Sequence, residues 1–152
     1  SVDFRMATLG KALGLEGAML ATTHNARKYL LHKARPFVFS TAPLPAIAHA
    51  GLTAISLAGS MDSERAHVAS LSGRVRALLQ QKGFSTGSST THIIPLLFNS
   101  EIEALWYADT LEKRNLHVKA IRPPTVPTPR LRFSMNARVS ENVLFQLDEA
   151  FA

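Results

Sequence analysis

His92-Ile93-Ile94-Pro95-Leu96-Leu97-Phe98-Asn99-Ser100-Glu101-Ile102-Glu103 changes from one hydrophobic rhythm to another, and its reading decides the fold. The apolar run over His92–Asn99, with Ile93, Ile94, Leu96, Leu97 and Phe98, reads as a strand. The Ser100 and Glu103 that follow are spaced as a capping box, in which the hydroxyl accepts from a first-turn N–H while the carboxylate reaches back. Ala104, Tyr107, Ala108 and Leu111 then continue one face of a helix. A strand feeding directly into a helix begins the strand, helix, strand, strand, helix order of an α/β sandwich.

The same alternation extends outward in both directions. Downstream, Leu116–Ile121 and Leu131–Met135 read as two more strands, joined by the corner Arg122-Pro123-Pro124-Thr125-Val126-Pro127. Ser140 is expected to cap a last helix that turns Val143, Leu144, Leu147 and Phe151 inward. Upstream, Val68, Leu71, Val75, Leu78 and Leu79 form an amphipathic stripe that ends at a Gly83 cap, and the polar stretch Ser85–Thr91 is a loop. The second half is therefore expected to be a sheet with helices covering one face. Gly59-Ser60 marks the best boundary, giving domains 1–59 and 60–152.

The first part reads as a strand over Val2–Thr8, a second short buried strand over Gly17–Thr22, a helix over Asn25–Ala34 and a strand over Pro36–Ser40. Thr41-Ala42-Pro43-Leu44-Pro45 then opens a helix to about Ala58, where Ala46, Ala48, Ala50 and Gly51 favour close packing against another element. A chain that opens inside an apolar strand is expected to be a piece of a longer protein.

Between the first two strands lies Thr8-Leu9-Gly10-Lys11-Ala12-Leu13-Gly14. An amine set against Met6, Leu9, Ala12 and Leu13 is expected to lose hydration, which lowers its pKa and makes it a nucleophile toward a carbonyl. Gly10 and Gly14 permit unusual backbone angles and let a flat ligand approach the main chain. The alternative is a solvated lysine in a glycine-bounded turn. The upstream glycine of a nucleotide-binding P-loop is absent.

Composition narrows the function classes. Hydrophobic residues at 46% and charged residues at 18% describe a soluble globular chain. With no cysteine, disulfides, thiolate nucleophiles and Cys-ligated zinc are excluded, and the six histidines are scattered without metal-ligand spacing. No apolar run is long enough to span a membrane, and Ser1-Val2-Asp3-Phe4 lacks the features of a signal peptide, so a cytoplasmic protein is expected. The net charge of +6 is spread over Arg27-Lys28, Arg74-Val75-Arg76, Lys113-Arg114 and Arg130-Leu131-Arg132. Without a basic tract or interleaved aromatics, this suits a solvated surface, then attraction of a phosphate or coenzyme A; nucleic acid is not expected. A basic binding domain, or a structural domain that self-associates through uncovered surfaces, are the alternatives outside catalysis.

Taken in order, Val2-Asp3, the stretch Thr8–Gly14, Gly17-Ala18, Phe39-Ser40-Thr41, Ile121–Pro127 and Arg130-Leu131-Arg132 resemble the α-oxoamine synthases. These are pyridoxal-phosphate acyltransferases of the aspartate-aminotransferase fold, fold type I. The resemblance covers essentially the whole chain, but only the C-terminal part of the family's longer chains. It implies that 1–59 is the end of the large cofactor-binding domain and 60–152 the small C-terminal α/β domain.

The resemblance also implies roles. Lys11 forms the imine with pyridoxal 5'-phosphate and later moves the substrate's α-proton. Thr8 sits beside the cofactor, and Thr41 reaches the phosphate held by the neighbouring subunit of a homodimer. Arg132 holds the carboxylate of the substrate amino acid, a task suited to a planar guanidinium. Within the family, Ile121–Pro127 looks most like the branch that joins alanine to a pimeloyl thioester of coenzyme A or acyl carrier protein, with loss of carbon dioxide, on the route to biotin. A branch using glycine and an acetyl thioester is the alternative. The chain alone is expected to be inactive or nearly so. Read without the resemblance, Arg132 is an exposed strand-face residue, Arg130 a structural one, Arg122 a cover for the proline corner, and Thr41 an N-cap.

Overall fold

The computed structural model describes residues 2–152. The chain divides into two compact units, Ser1–Met61 and Asp62–Ala152. Both mix helix and strand, but they differ in how much they bury.

The first unit begins with an antiparallel hairpin of β1 (Phe4–Thr8) and β2 (Ala18–Thr22), in the register Phe4↔Thr22 to Thr8↔Ala18. Three helices follow: α1 (His24–Lys33), α2 (Arg35–Val38) and α3 (Pro45–Gly59). The Thr23 hydroxyl caps α1 by accepting from the Ala26 N–H at 3.4 Å. Gly51 is buried in α3, and a Cβ built on it stands 3.8 Å from Leu15 Cδ1. Gly51 thus packs closely against the turn of the hairpin, whereas Ala46 and Ala48 are exposed.

Two sequence expectations fail in this unit. Residues 36–40 do not form a strand, because Pro36 falls in the first turn of the short helix α2, where a missing N–H costs nothing. The apolar run Phe37-Val38-Phe39 imitated a strand, yet the Phe37, Val38 and Phe39 N–H groups bond back to Ala34 and Arg35 carbonyls. Nor is the second strand buried: Ala18–Ala21 are all exposed. A two-stranded hairpin has no second layer of its own.

The second unit contains α4 (Asp62–Gln81), β3 (Ile93–Leu97), α5 (Glu101–Glu112), β4 (Lys119–Ile121), β5 (Arg130–Ser134) and α6 (Asn142–Ala150). The expected strand, helix, strand, strand, helix order after α4 is present. The sheet is antiparallel in the order β3-β5-β4, with β5 in the middle. Leu131 and Phe133 of β5 and Ile94 and Leu96 of β3 point to the helical side, where they meet Leu71, Val75 and Leu79 of α4, Leu111 of α5 and Leu147 of α6. Every residue of the described hydrophobic core belongs to this unit.

Rings of Phe84, Phe98, Tyr107 and Phe151 close one end of that core, with centroids 5.0 Å apart for Phe84–Phe151 and 5.3 Å for Phe98–Tyr107. The ends of α4 and α5 show why these helices stop. Gly83 (φ +87°) lets the Phe84 N–H reach the Leu79 carbonyl, and Asn115 (φ +60°) does the same for Leu116 and Leu111. Ser100 caps α5, accepting from the Glu103 N–H at 3.2 Å, but among the described residues the Glu103 carboxylate does not complete the expected box. Ser140 does not cap α6 with its side chain. The N-cap there is Glu141, in a helical conformation, and Ser140 supplies only its carbonyl, to the Val143 N–H.

Candidate active site

Lys11 stands in the nine-residue connection between β1 and β2, and main-chain bonds fix that connection. The Leu9 N–H donates to the Gly17 carbonyl at 2.9 Å, the Leu15 N–H to the Leu9 carbonyl at 3.0 Å, and the Gly14 N–H to the Lys11 carbonyl at 3.1 Å. The last of these makes Lys11–Gly14 a β-turn. Gly14 (φ +64°) and Gly17 (φ +99°) occupy the left-handed region that a side chain would strain. Gly10 has no such need. A Cβ there would meet only the Leu15 carbonyl oxygen, at 3.5 Å, so the main chain beside Lys11 is open to a flat molecule.

The expected dry surroundings of Lys11 are not formed by this chain's own residues. Lys11 is exposed and Met6 is 67% exposed. The hairpin presents both to solvent. The amine makes no hydrogen bond or ion pair among the described residues. Thr8, the last residue of β1, opposite Ala18, likewise keeps its hydroxyl unengaged.

Thr41 lies in the segment between α2 and α3 and is exposed. Its reading as a helix cap is removed: α3 starts at Pro45, its N-cap is Leu44, and no side chain caps it. The Thr41 hydroxyl has no partner among the described residues and remains available to an anionic oxygen.

Arg132 lies on β5 in the second unit. The strand alternates, Leu131 and Phe133 toward the core and Arg130, Arg132 and Ser134 toward the sheet's open face. Of the three arginines at the proline corner, two have partners among the described residues. Arg122 pairs with Glu101 at 3.6 Å, and Arg130 Nε donates to the Thr128 carbonyl at 3.0 Å. Arg132 makes no hydrogen bond or ion pair among the described residues. With Arg130, it borders a concavity of about 340 Å³ whose other walls are Ser89, Thr91, Ile93, Pro95, Ile121 and Val126.

The wall of that concavity is held from behind. Arg76 of α4 donates to the Thr91 carbonyl at 2.7 Å, and the Ile93 N–H donates to Thr91 Oγ1 at 3.2 Å. Sequence reasoning missed this support, and it missed Lys119, which the register sets directly opposite Arg132. Neither was legible, because both depend on which strand residues face each other. Lys11, Thr8 and Thr41 fall in the first unit and Arg132 in the second. Among the described residues no cluster of His, Asp or Glu could hold a metal ion, and no helix is long and apolar enough to cross a membrane.

The family model described as aminotransferase class I and II matches residues 2–151. The chain is 40% identical over 147 residues to an 8-amino-7-oxononanoate synthase of Paraburkholderia xenovorans, covering 94% of this chain and 37% of that protein. The structure of 8-amino-7-oxononanoate synthase from Francisella tularensis superposes with a TM-score of 0.87 at 25% identity, over 98% of this chain and 44% of that one. A serine palmitoyltransferase solved with its pyridoxal phosphate shares the fold, with a TM-score of 0.88 at 23% identity, over 98% of this chain and 39% of that one. This chain thus spans less than half the length of each of these proteins.

Proposed function

The chain belongs to the aminotransferase class I and II family, and we propose that it is the C-terminal part of a pyridoxal-phosphate-dependent α-oxoamine synthase that makes 8-amino-7-oxononanoate. Its substrates on this reading are L-alanine and a pimeloyl thioester of coenzyme A or acyl carrier protein, in the cytoplasm, on the route to biotin. Residues 1–59 then form the end of the large cofactor-binding domain and 60–152 the small domain of a homodimeric enzyme. The 152 residues alone do not catalyse the reaction, because Lys11 here has nothing to exclude water from it.

The observation that carries this reading is the contrast among the three corner arginines. Arg122 and Arg130 are engaged by the protein, whereas Arg132 points its unpaired guanidinium away from the core. A planar fork kept free in this way suits a carboxylate.

The residues present fit the cofactor. An aldehyde needs a primary amine that nothing else engages, and Lys11 offers one beside an uncrowded Gly10. Lys11 would hold pyridoxal phosphate through Nζ, with Thr8 at its side and Thr41 at the phosphate bound in the neighbouring subunit. When bound, the cofactor supplies the ring that takes up the electron pair left on the substrate's α-carbon. Arg132 orients the amino acid by its carboxylate. Lys11 Nζ, once released, takes the proton from that carbon and returns it after the acyl group has added and carbon dioxide has left. One flexible side chain thus serves twice.

The test combines the chain with the upstream part of a matching synthase and pyridoxal phosphate, followed by borohydride reduction and peptide mass spectrometry. A pyridoxyl group on Lys11 is expected, and none in Lys11→Ala. Labelling of another lysine in the unaltered chain would overturn the assignment. Carbon dioxide release from alanine with a pimeloyl thioester, against glycine with an acetyl thioester, checks the substrates.

A further inference from the structure

Among the described residues one buried side-chain polar atom has no hydrogen-bond partner: Nε of Arg76, on α4. A buried donor left unpaired costs free energy, so its retention calls for a reason. Core packing does not supply one. Arg76 follows the fully buried Val75 but is itself half-buried, and an unbranched apolar side chain at 76 would pack the same stem without the penalty. A carboxylate does not supply one either, since Arg76 has no ion pair among the described residues, whereas Arg74 pairs with Glu141 at 2.7 Å.

The hydrogen bond that the guanidinium does make leads toward Arg132. Arg76 Nη2 donates to the Thr91 carbonyl at 2.7 Å. From there the segment closes on itself: the Ile93 N–H donates to Thr91 Oγ1 at 3.2 Å, and the Ser89 hydroxyl donates to the Ile93 carbonyl. Ser89, Thr91 and Ile93 all line the concavity that Arg130 and Arg132 border. One turn further along α4, Gln80 Nε2 donates to Thr86 Oγ1 at 2.9 Å. Helix α4 thus grips the loop before β3 at two points, and the grip at Arg76 is the one that acts on the wall facing Arg132. A wall fixed before a ligand arrives spares the ordering cost that binding would otherwise carry.

We propose that Arg76 is a positioning residue for the amino-acid substrate: by holding the Thr91 carbonyl it fixes the Ser89–Ile93 wall against which the amino acid carried on Arg132 lies. Arg76 itself touches no substrate. This inference rests on the role given to Arg132 above.

The full 152-residue chain is titrated with L-alanine, and the amide shifts of Leu131 and Phe133 are followed by NMR. Arg76→Met removes the bond to Thr91 and the unpaired Nε together. It should weaken alanine binding by a factor of about two to ten, the worth of one hydrogen bond, and speed exchange of the Ile93 amide. The urea midpoint of the Trp106 transition should stay the same or rise, because a buried unpaired donor is gone. Arg76→Lys, which keeps a donor for the Thr91 carbonyl, should recover part of the affinity. Arg74→Met takes the same charge from the same helix and should leave alanine binding as it was. Unchanged affinity in Arg76→Met, an equal loss in Arg74→Met, or a loss accompanied by a lower midpoint and not restored by Arg76→Lys would each overturn the proposal. Arg132→Gln separates it from the reading it rests on. Alanine that still binds this variant, or fails to bind the unaltered chain, refutes the role of Arg132; binding lost there but intact in Arg76→Met refutes the positioning role alone.

Discussion

Leu79→Ala and Leu52→Ala remove the same atoms from two helices, and the structure assigns them very different costs. Leu79 is fully buried against the sheet at 0% exposure, whereas Leu52 on α3 is 69% exposed. Truncating a buried leucine loses its transfer free energy and leaves a cavity, together about 2–5 kcal/mol. At a urea dependence of about 1–1.5 kcal/mol per molar for a unit of this size, a loss of about 3 kcal/mol lowers the midpoint by about 2–3 M. Leu52→Ala should stay within about 0.5 kcal/mol of the parent, because it removes surface that water already covers. Trp106 is the sole tryptophan and lies on α5, so its fluorescence reports the second unit, while far-UV circular dichroism follows both. Equal losses at the two positions would refute the reasoning. They would mean that α3 is covered in solution, by a second copy or by packing of its own, and self-association measured at the same concentrations would tell these apart.

Ser100→Ala removes the cap of α5 and should cost about 1 kcal/mol in the Trp106 transition, with little change from Ser100→Asp. Gly14→Ala forces a side chain into the left-handed region at the Lys11 turn, at about 1–2 kcal/mol, which should appear as faster exchange of the amides at position 14 and Leu15. Ser63 donates its hydroxyl to Glu64 Oε2 at 2.8 Å, which holds the Glu64 carboxyl below the usual range. Because that carboxyl titrates lower when folded, its contribution is in place above the ordinary carboxylate range and is lost as pH falls through the lowered value. Ser63→Ala should move its NMR titration upward; an unchanged curve would contradict the hydrogen bond as the main cause.

The second unit was legible in the sequence because its elements are closed by local chemistry that a single chain displays. The Ser100 cap, the Gly83 stop and the stripe Leu71, Val75 and Leu79 each name their element and its buried side. The first unit was legible in element order but not in burial. An apolar strand such as Ala18–Thr22 announces that something should cover it, and periodicity cannot say whether the cover belongs to the same chain. Phe37-Val38-Phe39 misled for a related reason: short apolar runs fit strand and helix alike, and the preceding Pro36 decided for the helix. Of the candidate site, Lys11 and Arg132 were marked by their neighbours along the chain. The contrast between Arg132 and its engaged neighbours, and the presence of Lys119 across from it, belong to register, which is fixed by loop lengths and core alternation together.

β5 has two readerships. Substitutions at 131 and 133 speak to thermal stability first, because their side chains are sealed under helices, while 130, 132 and 134 write on the opposite surface. A melting screen of variants would therefore pass over Arg132→Gln as silent, and a screen for ligand binding would score Leu131→Ala as defective for the wrong reason. Sorting natural or laboratory variants of this strand by odd and even position separates lost folding from lost recognition before any enzyme is assayed.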